Sequence, residues 1–238
     1  MRAALCISLA YLLGSIPSAY LVSKAHGYDI RKLGDRNVGA ANILRCFGVV
    51  PAAITLGADV LKGTASVLFA RLLGANEAVV LASGVAAIAG HNWPIALGFR
   101  GGRGVATSLG VLLPVLTAPI SAVLPAVAAV LWFSRNYALA SLTFLGMLPP
   151  IARILGAPVY LSVYALAVSF MVIATTYSRL SELSWSLVRS SLAARAEDWK
   201  PTSSLLQRKN GEAPAWQNGA LRSQMEGVLR GAVAEMVE

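Results

Sequence analysis

Four stretches of the chain contain no Asp, Glu, Lys or Arg: residues 3–23, 78–99, 104–134 and 154–178. Each exceeds the ~18 apolar residues that mark a helix able to cross a bilayer. Backbone polar groups in lipid find no water, so runs of this length are expected to be helical. A cleaved leader would be an alternative for the first run, but its uncharged span is long for that purpose and more spans follow. The pattern predicts spans at 3–22, 51–73, 78–97, 138–155 and 158–177. The 31 residues of 104–134 hold Pro114, Pro119 and Pro125 and are too long for one helix. They read as two short spans meeting near 117–119. The expected fold is therefore all-α and polytopic, with about seven transmembrane helices. Five is the alternative if the proline-rich stretch and its neighbour re-enter without crossing.

Lys and Arg alternate between the two sides of this scheme. Lys24, Arg31, Lys32, Arg36, Arg45, Arg100, Arg103 and Arg135 fall on one side, and Arg2, Arg71 and Arg153 on the other. By the positive-inside rule the N-terminus lies outside and the C-terminal tail in the cytoplasm. The location expected is the cell's inner (plasma) membrane, multi-pass.

Beyond Ser178 the composition changes. Residues 179–238 hold eight of the twenty basic and seven of the eleven acidic residues, leaving most of the net charge of +9 in residues 1–178. Leu180, Leu183, Leu187 and Leu192 recur at near-helical spacing beside Trp185, which suggests a helix lying on the membrane surface. Residues 197–219 read as a linker, and 221–236 as a second amphipathic helix. Two parts follow: a membrane domain at 1–178 and an amphipathic cytoplasmic tail at 179–238.

Overall the chain is 56% hydrophobic and only 13% charged, with a mean hydropathy of +0.64. Soluble domains carry about 25% charged residues, so composition agrees with the apolar runs. Membrane lipid is an expected partner; nucleic acid is not. The sequence does not specify an oligomeric state. Cys6 and Cys46 lack metal or redox spacing. With only two histidines, neither a His-based metal cluster nor a Ser-His-Asp triad is favoured.

The candidate chemistry lies in three places. The stretch GFRGGRGVATSLG (98–110) places Arg100, Gly101, Gly102, Arg103 and Gly104 before a helix start and Thr107. Glycines let backbone N–H groups face a ligand, and a helix start adds its positive end. Guanidinium forks suit phosphate oxygens. A phosphate cradle and a plain basic turn explain this loop about equally well. The loop YDIRKLGDRNVGAANILR (28–45) offers Asn37, Asn42 and Arg45 for a polyol or phosphate, or else is a solvated turn. Asp59 and Lys62 share one helix face and could pair inside the second span. His91 falls just ahead of the glycine loop.

Taken together, YLLGSIPSAYLVSK (11–24), LGDRNVGAANILR (33–45), DVLKG (59–63) and GHNWPIALGFRGGRGVATSLG (90–110) give the chain a family likeness. It resembles the bacterial acyl-phosphate:glycerol-3-phosphate acyltransferases (PlsY) over roughly residues 10–178. The resemblance implies transfer of a fatty acyl group from acyl-phosphate to the 1-hydroxyl of glycerol 3-phosphate, giving lysophosphatidic acid without metal or coenzyme A. It implies a phosphate-binding loop at Gly101, Gly102, Arg103, Gly104 and Thr107, with Arg100 beside it. It also implies substrate contacts at Asn37 and Asn42 and an activity-bearing Arg45, with Asp59, Lys62 and His91 in support. Asp35 and Arg36 stand where the family has Ser and Gly, which makes Asp35 a candidate general base toward the acceptor hydroxyl. Arg100 and Arg103 replace lysines. The family's third motif, with its His and Asn, is replaced by TTYSRLSELSWSL (175–187). A homologue that binds phosphate-bearing lipid precursors or a membrane partner, with little or no transfer, is the alternative expectation.

Overall fold

The computed structural model describes residues 1–198, with side chains described to residue 178. It divides into two units, Met1–Ser181 and Glu182–Glu238. The helices are α1 (Arg2–Gly14), α2 (Ser18–Ala25), α3 (Ala40–Phe47), α4 (Val49–Leu72), α5 (Glu77–Asn92), α6 (Val105–Leu112), α7 (Thr117–Ser134), α8 (Tyr137–Ile154) and α9 (Val159–Asp198). No strand occurs among the described residues.

Six segments are long and apolar enough to cross a membrane: Arg2–Ala25, Val49–Leu72, Glu77–Leu97, Thr117–Ser134, Tyr137–Ile154 and Val159–Ser178. The seventh expected span is α6, which at eight residues is only about 12 Å long. It nonetheless follows the C-terminal half of the neighbouring α4. Thr64 Oγ1 donates to the Gly110 carbonyl at 2.8 Å, and Arg71 Nη1 to the Pro114 carbonyl at 3.1 Å. Contacts advance in the same direction along both helices, so α6 runs parallel to α4 and ends level with its last turn. Added β-carbons at Gly63 and Gly110 would overlap the Thr107 and Val60 carbonyl oxygens, which shows how closely the two backbones pack. The proline-rich break lies at 113–116, slightly before the expected 117–119.

A second difference lies in the first span. Pro17 lacks an N–H, so the helix stops at Gly14 and restarts at Ser18. The interruption leaves the Ile16 carbonyl outside a helical ladder, where Lys62 Nζ donates to it at 2.9 Å.

The main core gathers Val67, Ile88, Val111, Leu112, Ile120, Leu148 and Val168 from six helices. A smaller core, including Ala19, Ile30, Val38, Ile43 and Leu97, packs the 24–47 segment against the start of α4. The expected surface helix at 180–192 falls on residues whose side chains are outside the described set. The linker at 197–219 lies almost wholly outside the described residues, and the helix at 221–236 entirely so.

Candidate active site

α4 and α5 run antiparallel, bringing the C-terminal turn of α5 level with the middle of α4. Asp59 and Lys62 pair at 2.9 Å, as their spacing suggested, and are 2% and 6% exposed on their side chains. His91 Nδ1 lies 3.4 Å from Asp59 Oδ1, adding a third buried member. Charges so far from water persist only with partners. The Ile16 carbonyl completes the set, so this cluster ties α4, α5 and the break between α1 and α2 into one frame.

The glycine loop rests on that frame. The Gly101 N–H donates to the Asn92 carbonyl at 3.0 Å and the Gly102 N–H to the His91 carbonyl at 3.1 Å. These two donors were expected to face a ligand; they instead dock the loop on the end of α5. A β-carbon on Gly102 would overlap His91 Nε2 and come within 2.6 Å of the Val38 carbonyl oxygen. Gly104 has φ +86°, a left-handed conformation that turns the chain into α6. The N–H groups of Val105, Ala106 and Thr107 begin that helix without intrahelical acceptors, and the helix's positive end lies there. Thr107 Oγ1 and Arg103 Nε are buried without a hydrogen-bond partner. Buried polar atoms of this kind call for an explanation, and a bound anion supplies one.

Above the loop sits the 28–45 segment. Asn42 is fully buried, and its amide holds the turn together: Nδ2 donates to the Leu33 and Asn37 carbonyls, each at 3.0 Å, and Oδ1 accepts from the Asp35 N–H at 3.3 Å. Asn42 thus has a structural task, because every strong bond it makes is to its own loop. Asn37 is half-buried beside Gly39. Arg45, on α3, reaches Asp35 Oδ2 at 2.6 Å, and Arg103 approaches the same oxygen at 3.5 Å. Asp35 Oδ1 accepts from the Asn37 N–H at 3.2 Å. Arg36, the next residue, has φ +58°, a left-handed conformation in which a side chain costs about 1–2 kcal/mol. Arg100 is exposed at the rim.

Below this guanidinium pair, a small cavity is lined by Gly14, Ile16, Val38, Lys62, His91 and Gly102. The arrangement is a cationic mouth over a narrow polar floor, at the edge of an apolar helix bundle. The Ile16 carbonyl and the Val38 backbone at the cavity wall were not singled out in the sequence, although Pro17 was the available signal for the first. Asn92, whose Nδ2 donates to Thr175 Oγ1 at 3.2 Å, links α5 to α9 and was missed as well.

The family model for glycerol-3-phosphate acyltransferase matches residues 4–185. The chain belongs to this family. A glycerol-3-phosphate acyltransferase of Rubrobacter xylanophilus is 50% identical over 46% of this chain, and that alignment spans 55% of the relative's length. One from Moorella thermoacetica is 44% identical over 61% of this chain and 75% of the relative. The crystal structure of PlsY, an integral membrane glycerol 3-phosphate acyltransferase in its glycerol 3-phosphate form, superposes with a TM-score of 0.70. Its identity is 30%, covering 78% of this chain and 94% of that one. The lysophosphatidic acid form of PlsY matches equally, with a TM-score of 0.69. Membership fixes the fold as that of a multi-pass integral membrane protein.

Proposed function

We propose that this chain transfers a fatty acyl group from acyl-phosphate to the 1-hydroxyl of glycerol 3-phosphate. The observation that carries the reading is the convergence of Arg45 and Arg103 on one point beside the start of α6, in a family whose solved structures hold glycerol 3-phosphate and lysophosphatidic acid. Both substrates bear phosphate, and guanidinium forks hold phosphate oxygens with two parallel hydrogen bonds. In the reaction the 1-hydroxyl oxygen attacks the acyl carbonyl carbon and a new ester bond forms. The carbonyl carbon–oxygen bond to phosphate breaks, phosphate leaves with the electron pair, and the hydroxyl proton ends on phosphate.

In this reading Arg45, Arg100 and Arg103 hold the two phosphates, with the backbone donors and Thr107 at the start of α6. Gly101, Gly102 and Gly104 give the loop its path, Asn37 and Asn42 shape its roof, and Asp59, Lys62 and His91 brace its floor. Arg45 stabilises charge that grows on the departing phosphate. Asp35 occupies the fork between the arginines, where its Oδ2 is already committed to two cations. The site opens to the cytoplasm of a plasma (inner) membrane, with the N-terminus outside, residues 1–178 carrying the activity and 179–238 forming a cytoplasmic appendage.

The test is acyl transfer by purified protein in lipid, from palmitoyl-phosphate to labelled glycerol 3-phosphate. Equal amounts of lysophosphatidic acid and inorganic phosphate, both lost in Arg45→Ala, are expected. Folded protein that binds glycerol 3-phosphate without turnover would instead make this a binding homologue, a reading favoured by the replacement of the third motif at 175–187.

A further inference from the structure

An acidic residue, Asp35, stands between the two guanidiniums of the mouth. Asp35 Oδ2 lies 2.6 Å from Arg45 Nη2 and 3.5 Å from Arg103 Nη2. Its other oxygen is otherwise engaged, accepting the Asn37 N–H at 3.2 Å. The Asp35 side chain is 25% exposed and that of Arg45 48%, so the pair sits at the open edge of the site, within reach of an incoming anion. Two guanidiniums gathered on one carboxylate oxygen are what an incoming phosphate would also need. The carboxylate and the phosphate therefore compete for the same donors.

We propose that Asp35 is a built-in competitor of the substrate phosphate and sets the affinity threshold of the site. The proposal rests on the reading that Arg45 and Arg103 receive a substrate phosphate. In the empty site the carboxylate neutralises one of the two guanidiniums and keeps both pointed inward. A phosphate dianion bridging both arginines matches their two charges where Asp35 matches one. It displaces Oδ2, while Oδ1 stays with the Asn37 N–H. Anions that engage only one arginine do not displace the carboxylate. Affinity for an anion that bridges both arginines is reduced by the fraction of time the seat is taken: a seat filled about nine-tenths of the time weakens its binding about tenfold. Asp35 acts here as a specificity-determining residue, with no part in proton transfer.

The two oxygens have separate partners, which makes a clean variant available. Asp35→Asn keeps an oxygen for the Asn37 N–H and removes the charge from the seat. Binding of inorganic phosphate and of glycerol 3-phosphate to the full chain in lipid nanodiscs is measured by calorimetry. The Kd for both is expected to fall about tenfold in Asp35→Asn and to stay within about twofold of wild type in Asp35→Glu. In an Arg45→Ala/Arg103→Ala background, the Asn substitution should give no gain, because no seat remains to be freed. Equal tightening in that background would mean simple loss of a nearby negative charge and would overturn the proposal. So would unchanged or weaker phosphate binding in Asp35→Asn. A kcat drop of 10²–10⁴-fold with unaltered Kd would assign Asp35 to proton transfer instead. If Asp35→Asn tightens phosphate while glycerol 3-phosphate is neither bound nor acylated, the competitor stands and the acyltransferase reading fails. If wild type transfers acyl groups and Asp35→Asn binds no tighter, the reverse holds.

Discussion

Replacing Gly102 by Ala adds a single methyl group where the loop packs closely on His91 and Val38. The new β-carbon would lie 2.6 Å from the Val38 carbonyl oxygen and overlap the His91 ring nitrogen. Ordinary contact begins near 3.4 Å, so the loop must retreat by roughly 0.8 Å from Val38. His91 cannot simply swing away, because Nδ1 is paired with Asp59 on the far side of the ring. The retreat is therefore carried by residues 102–104 and reaches Arg103. A displacement near 1 Å of a substrate-holding group costs on the order of 10²-fold in rate. The same chemical change at Gly146 meets nothing within 4 Å, in the interior of α8, and serves as the control. Acyl transfer measured in lipid should fall about 10²-fold in kcat/KM for Gly102→Ala and stay at the wild-type level for Gly146→Ala. Wild-type transfer by Gly102→Ala would refute the argument that close packing on His91 and Val38 positions the loop.

Lys62→Met leaves Asp59 buried with only His91 beside it. A loss of about 3–5 kcal/mol is expected in denaturation of the reconstituted protein, partly recovered in Asp59→Asn/Lys62→Met; an unchanged midpoint in the single variant would contradict a paired buried cluster. Arg45→Ala should lower kcat/KM on the order of 10²-fold, while Cys46→Ala, beside Asn42 but away from the arginines, should leave transfer intact; the reverse order would misplace the site. Outside the membrane spans, the Arg31 guanidinium holds the Asp29 carboxyl down to about 2 from its ordinary 3.8. A lowered carboxyl pKa stabilises the fold above the ordinary value and loses that contribution as pH falls through about 2. Asp29→Asn should therefore shift the melting temperature equally at pH 5 and pH 8; a difference that opens between those two would contradict the pairing.

The membrane architecture was legible because length and the absence of charge leave a bilayer-spanning helix little alternative. The break at Pro17 was not, since residues 3–22 form an uninterrupted apolar run and only the tertiary use of the Ile16 carbonyl gives the break a purpose. α6 fell short of a full span because the glycine loop packs level with Asp59, leaving it only the C-terminal half of α4 to follow. Asp59 with Lys62 could be read from i,i+3 spacing on one face. His91 as their partner could not, because it arrives through the antiparallel packing of α4 on α5. The basic glycine loop was visible as a distinct motif, yet two of its N–H groups turned out to anchor it to α5. Asn42 shows the same limit: an amide that suits a polyol in sequence is consumed by its own turn in three dimensions. The meeting of Asp35 with both Arg45 and Arg103 joins two distant loops and had no local sign.

Substrate phosphate is expected to sit between Arg45 and Arg103 at the start of α6. A crystal structure of the full chain with glycerol 3-phosphate bound tests this most directly. Phosphate oxygens should lie within hydrogen-bond distance of both guanidiniums and of an N–H at the start of α6, with Asp35 Oδ2 turned out of the seat. Phosphate bound elsewhere, with the Asp35–Arg45 pair still closed at 2.6 Å, would contradict it.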